Sequence, residues 1–299
     1  MWSRARDVNI GHHSSYLSER PAIALSTRPD LRRARRLQVV WRAYLRLSVP
    51  IAVVLIAIAA LLLAQMIVEA ARSPGAIGID LTTVLDATRR WTSGSSPYLA
   101  RQLAGPYQQI GANLADSGEM LYPPIALPFF APFLVVPGLL WWAIPAMAAV
   151  AGLWQIRPAR WSWPILALCI LAGQSLPLIV AGNPTIWIVA AGLWAPSLGW
   201  PGPLILLKPS VAPLALLGIR RRSWSVAAAL LAIASLPFGR LWADWYVAVT
   251  NLRVSGAGGI LFSLHQLPIL LIPVVAAVAR PRRRNAATER ARGHERASS

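Results

Sequence analysis

From Leu47 to Val68 the chain runs for 22 residues without a charged side chain. A helix of that length, rising about 1.5 Å per residue, crosses a hydrocarbon core of about 30 Å. Seven further apolar stretches follow, at 122–136, 139–156, 163–181, 186–198, 204–219, 224–238 and 260–279. Eight candidate spans predict an all-α, polytopic integral membrane protein. Several of the eight are short and hold Pro or Gly, so some are expected to dip into the bilayer and return as re-entrant segments. The first run is longer than a secretory h-region and follows a leader with ten Arg, so it reads as a retained anchor. Cys169, the lone cysteine, lies inside an apolar stretch and reads as a small packing residue.

The net charge of +18 sits mostly at the ends, since residues 1–46 and 280–299 together supply +12 of it. These read as an Arg-rich cytoplasmic arm and an Arg-rich cytoplasmic tail flanking a membrane domain at 47–279. Basic runs beside a membrane rest on anionic lipid headgroups, so membrane lipids are expected partners. Nucleic acid is not, because no recognition motif accompanies the charge. Eight crossings return both termini to the cytoplasmic side, but they leave Arg157 and Arg160 outside, against the positive-inside rule. A re-entrant segment within 121–156 would remove that violation. Arg, Ala and Pro abound beside a single lysine, which points to a GC-rich bacterial gene and hence to a bacterial plasma membrane.

Apart from the ends, the acidic residues are Glu69, Asp80, Asp86, Asp116, Glu119 and Asp244. On this topology all six face the exterior, five of them in one long loop at 69–121. A loop of that length between closely spaced hydrophobic segments is a candidate functional element. Within it Leu81, Val84, Leu85, Thr88 and Trp91 recur at helical spacing, with Asp80 in position to cap the helix. Gly94 to Ser96 end the pattern, and Pro97 can open a second short helix through Leu103.

The ordered elements Gly78-Ile79-Asp80, Gly94-Ser95-Ser96-Pro97-Tyr98 and Leu121-Tyr122-Pro123-Pro124 resemble glycosyltransferase family 87, as do Gly182-Asn183 and Lys208-Pro209 further on. These are membrane enzymes of the GT-C class that include polyprenyl-phosphate-mannose-dependent mannosyltransferases. The resemblance implies transfer of a hexose, mannose by expectation, from a polyprenyl-phosphate donor to an extracytoplasmic glycolipid or glycan acceptor. It also implies Asp80 as the catalytic base, and it carries Asn183 over as a substrate-binding residue. Eight plain crossings, however, put Asn183 on the inner side, opposite Asp80.

The residues themselves admit the same chemistry. A carboxylate near the bilayer surface can take a proton from an attacking hydroxyl, although an N-cap is the simpler role for Asp80. Asp86 is the fallback base, or else the partner of Arg89 or Arg90. Lys208, the single lysine among 28 arginines, lies in an apolar stretch and can bind a lipid phosphate or merely reach the headgroups. His265 and Gln266, at the start of the last span, are further candidate substrate contacts, and Arg240 and Arg253 are candidate phosphate ligands. Tyr98 and Tyr122 can stack on sugar rings, or anchor at the interface with Trp91, Trp242, Trp245 and Tyr246. No spacing suggests a metal site or other cofactor, and no Gly-rich loop suggests a nucleotide, which favours a lipid-phosphate donor. Two rival readings remain. One is a lipid or solute transporter or flippase whose path Lys208 and His265 line, and the other is a non-catalytic GT-C-like scaffold of the cell envelope.

Overall fold

In the computed structural model the described residues are 28–73, 75–107, 118–255 and 266–281. His265, Asp116 and the first part of the stretch at 260–279 lie outside them. Residues Met1–Ala43 and Tyr44–Ser299 form separate compact units. Of the first, only the opening of α1 (Arg28–Ala71) is described. The second holds every other element below.

The described chain is helical without a strand, as the apolar runs predict. After α1 come α2 (Ile79–Thr92), α3 (Ala100–Ala104), α4 (Leu127–Phe130), α5 (Leu140–Ile156) and α6 (Trp163–Leu171). They are followed by α7 (Ser175–Val180), α8 (Thr185–Leu198), α9 (Pro201–Leu204), α10 (Arg222–Ser235), α11 (Gly239–Val254) and α12 (Leu267–Val278). Among the described residues two helical stretches are long and apolar enough to cross a membrane, Arg36–Ala71 and Arg222–Val254. Their surfaces stay open: Leu61 of α1 is 72 % exposed, and α10 has no buried residue.

Elsewhere proline decides where helices stop. Pro124, Pro128 and Pro132 each remove an amide donor and crowd the preceding turn, so 124–134 becomes short 3₁₀ and α segments instead of one span. Pro201, Pro203, Pro209 and Pro213 do the same to 201–216, where Lys208 sits in a non-helical break at φ −124°, ψ 87°. The expected span at 163–181 breaks after Leu171, where Ala172 is extended and Gly173 has φ 61°. In the loop α2 forms over the anticipated residues and buries Leu81, Val84, Leu85 and Thr88. The second short helix starts later than Pro97, at Ala100, because Pro97 and Tyr98 bend and Leu99 is extended.

Two apolar clusters hold the second unit together. One joins α6, α8 and α12 through Leu166, Ile188, Leu193 and Ile272. The other joins α2 to the 124–134 segment and α5 through Val84, Leu127, Phe130 and Trp141, all at most 2 % exposed. Full burial of such side chains contributes about 1.5–3 kcal/mol each, enough to fix the first turn of α2 against the α7–α8 turn.

Candidate functional site

The site begins with a close approach of two glycines. Gly78, just ahead of α2, and Gly182, just after α7, have φ of 75° and 69°. Both values lie in the left-handed region that a side chain disfavours. A Cβ on Gly182 would lie 2.9 Å from the Trp142 ring and 3.4 Å from Gly78 Cα. Without side chains, the start of α2 settles on the end of α7. Gly78 N donates to Val180 O at 2.9 Å and Asp80 N to Ala181 O at 2.8 Å. The free amides of one helix thus satisfy the free carbonyls of another. Two adjacent indoles clamp the same turn: Trp141 Nε1 donates to Gly182 O and Trp142 Nε1 to Ile179 O, each at 2.7 Å.

This docking settles the role of Asp80 in its helix. It lies inside the first turn rather than at the cap, which Gly78 occupies without any side-chain capping bond. Its carboxylate therefore remains free to accept from Asn183 Nδ2, at 2.7 Å from Oδ2. That bond also corrects the expected path of the chain. Eight plain crossings would part Asp80 and Asn183 by a bilayer, and they are hydrogen-bonded.

From Asn183 the network runs on to Lys208. Asn183 Oδ1 accepts from Thr185 N at 2.9 Å and Thr185 Oγ1 at 2.6 Å, an Asx-type turn that opens α8 and fixes which way the amide faces. Lys208 Nζ donates to Thr185 Oγ1 at 2.5 Å, to Gln266 Oε1 at 2.9 Å and to Asn183 Oδ1 at 3.3 Å. The ammonium's three protons thus have three neutral acceptors, and a single amide bridges the lysine to the carboxylate. Burial pushes the Asp80 carboxyl above its ordinary value, outweighing the opposing effects of the Asn183 bond and of Lys208.

A cavity of about 490 Å³ opens from Lys208. Its walls are Phe129, Phe130, Trp187 and Trp194 among other apolar groups, and Tyr122 lies at its rim. Lys208 is the one charged residue in the lining. Phe129 meets Trp187 edge-on with ring centres 5.0 Å apart, which stiffens one wall.

Four of the anticipated residues, Asp80, Asn183, Lys208 and Gln266, therefore meet in one network, and Tyr122 borders the same cavity. Tyr98 does not join them. It is 2 % exposed and its hydroxyl donates to Tyr122 O at 2.9 Å, so it supports the Tyr122 backbone and faces no open space. Asp86 pairs with Arg89, the other role its sequence position allows. Thr185, 0 % exposed, joins Asn183 and Lys208 and was not anticipated. Its signal was Asn183-Pro184-Thr185, a turn-opening sequence directly before an apolar helix. His265 lies outside the described residues.

Family models, curated proteins and solved structures were compared with the chain, and none of them matches it. The site has to be interpreted from its own geometry.

Proposed function

We propose that the chain is a polytopic membrane glycosyltransferase of the GT-C type, similar to family 87, that moves a hexose from a polyprenyl phosphate to an extracytoplasmic acceptor. The observation that carries this reading is the Asp80–Asn183–Lys208 bridge, whose lysine lines an apolar cavity. In the reaction an acceptor hydroxyl oxygen attacks the anomeric carbon while Asp80 takes its proton. The bond from that carbon to the phosphate oxygen breaks, its electron pair leaves with the phosphate, and Lys208 offsets the charge. One displacement without an enzyme nucleophile inverts the anomeric centre. The apolar cavity suits the first isoprene units, with the ammonium where chain gives way to phosphate.

Pairs of residues that share a level support one membrane placement. Tyr44 donates to Trp161 O at 2.6 Å, and Ala159 N to Ala279 O at 2.9 Å, which groups Arg157, Arg160 and Arg280 at one end. Arg221 Nε donates to Pro196 O at 3.1 Å, which brings Arg220 to Arg222 level with the end of α8. Asp80 and Asn183 mark the other end. A path of six crossings, by α1, α5, α6 with α7, α8, α10 and α12, satisfies every one of these pairs. The proline-broken segments 124–134 and 201–216 become re-entrant, entering from outside and from inside respectively. On this path the arginines at 157, 160, 220–222 and 280 all face the cytoplasm, and every described carboxylate from Glu69 to Asp244 faces out. Exposed α1 and α10 support it as well, because a core helix of a water-soluble fold would be buried and these are open. The setting is then a bacterial plasma membrane with both termini cytoplasmic.

Incubation of the purified protein with radiolabelled polyprenyl-phosphate mannose and membrane acceptors tests the reading. Label is expected in a glycolipid or glycan with the wild type and not with Asp80→Asn. Equal transfer by both would refute it.

A further inference from the structure

A second cavity, of about 850 Å³, lies at the opposite end of the second unit from Asp80. Its floor includes Leu198, Leu216 and Ile219, and its rim is Arg220, Arg221 and Arg222. The three apolar residues are 39 %, 57 % and 46 % exposed, although each has a hydrophobic side chain to cover. Arg221 is fixed by its bond to Pro196 O, and Ser223 Oγ donates to Leu198 O at 2.5 Å, so the rim is anchored to the end of α8. Gly218, at φ 85°, lets this rim approach closely. A Cβ there would collide with the Ala195 carbonyl. Ala277 of α12 also lines it, two residues from the Ala279 carbonyl whose contact brings Arg157, Arg160 and Arg280 to this end. Among the described residues no carboxylate forms an ion pair with any of these six arginines.

Three adjacent guanidiniums above exposed aliphatic side chains suit an amphiphile with an anionic head. A free phosphate would satisfy the rim and leave the floor uncovered, and a neutral lipid would do the reverse. We infer that this groove is a binding site for an anionic phospholipid of the inner leaflet, with its phosphate on Arg220 and Arg222 and its acyl chains along Leu198, Leu216 and Ile219. The inference rests on the membrane placement given above and is independent of sugar transfer.

The test uses the full-length protein purified in neutral detergent, titrated with phosphatidylglycerol, phosphatidylcholine or inorganic phosphate, with bound lipid counted by native mass spectrometry. Phosphatidylglycerol is expected to be retained and phosphatidylcholine not, and excess inorganic phosphate is expected not to displace it. Each basic residue at such a surface strengthens binding roughly 5-fold, so Arg220→Gln with Arg222→Gln should weaken retention by about 30-fold. Both side chains are exposed, and Arg221 keeps its bond to Pro196 O, so folding is preserved. Arg157→Gln with Arg160→Gln removes equal charge from the same end outside the groove and should leave retention intact. Equal losses in the two double variants, or none in the first, would overturn the site. Arg222→Cys serves as a separate check, since the native Cys169 is buried. Its reaction with an impermeant reagent outside intact cells would overturn the membrane placement itself.

Discussion

Asp80→Asn should separate activity from stability in opposite directions. Asparagine keeps an oxygen where the carboxylate accepts from Asn183 Nδ2 at 2.7 Å, so the hydrogen bond to the α7–α8 turn survives. What disappears is the negative charge. Burial raises the folded-state pKa of Asp80 despite the Asn183 bond and Lys208. The folded chain therefore binds this proton more tightly than the unfolded chain does. Stability from the protonated form is complete below the ordinary carboxylate value and is lost as pH rises through the raised one. At neutral pH the ionised carboxylate is a net cost to folding, and the amide removes that cost. The unfolding temperature of Asp80→Asn should therefore equal or exceed that of the wild type at pH 7, and the difference should vanish in acid. Transfer should fall by about 10²- to 10⁴-fold, the usual contribution of a positioned general base, equivalent to about 3–5 kcal/mol of barrier. The assays are thermal unfolding in detergent at several pH values and radiolabel transfer at neutral pH. A variant that unfolds earlier yet transfers normally would refute the argument, because Asp80 would then be a structural anion.

Other outcomes follow from the same geometry. Transfer should decline as pH falls through the raised Asp80 value, so its acid limb should lie above the usual carboxylate range near pH ~3.9, as a pH profile of kcat/KM would reveal. Thr185→Val leaves the Asn183 amide and Lys208 each short of a partner, and should cost about 1–3 kcal/mol in unfolding measurements and a comparable amount in transfer. Thr185→Ser should restore most of both. Gly182→Ala combines a left-handed backbone with a Cβ 2.9 Å from Trp142, and should destabilise by about 2–3 kcal/mol while parting Asp80 from Asn183. Thermal unfolding and transfer should fall together in that variant, unlike in Asp80→Asn. Lys208→Met should abolish transfer and also lower stability by about 1–3 kcal/mol, since Thr185 Oγ1, Gln266 Oε1 and Asn183 Oδ1 lose the donor they share, and the radiolabel assay with a melting curve checks both.

The all-helical fold and the α2 face could be read from the sequence because hydrophobic periodicity is local. Leu81, Val84, Leu85 and Thr88 repeat at helical spacing and are the residues α2 buries. Crossing counts are different, since an apolar run does not say whether its helix continues. The stretches at 122–136 and 204–219 have the hydrophobicity of spans, yet their prolines remove amide donors at several positions. An apolar window averages over residues and is insensitive to which of them can donate. The prolines mark some stretches as candidates to turn back, but they do not say which ones do.

Asp80 and Lys208 could be singled out as a carboxylate near one span and an isolated lysine within another, since charge in an apolar setting is expensive wherever the chain folds. Their meeting could not be derived that way, because 128 positions separate them and the bridge depends on contacts that no local pattern encodes. Asn183 reaches Asp80 only because Gly78 and Gly182 allow two backbones to touch, and two indoles hold the turn in place. Each of those glycines stands out in the sequence only as part of a short motif, and nothing local says that the two meet. The expected crossings even placed Asn183 across the membrane from its partner. On the proposed membrane reading, the bond between the two leaves parity little freedom: an odd number of segments between Asp80 and Asn183 must fail to cross. The proline-broken stretch at 124–134 is the shortest candidate between them, and making it re-entrant carries Arg157 and Arg160 to the side where the other arginines lie.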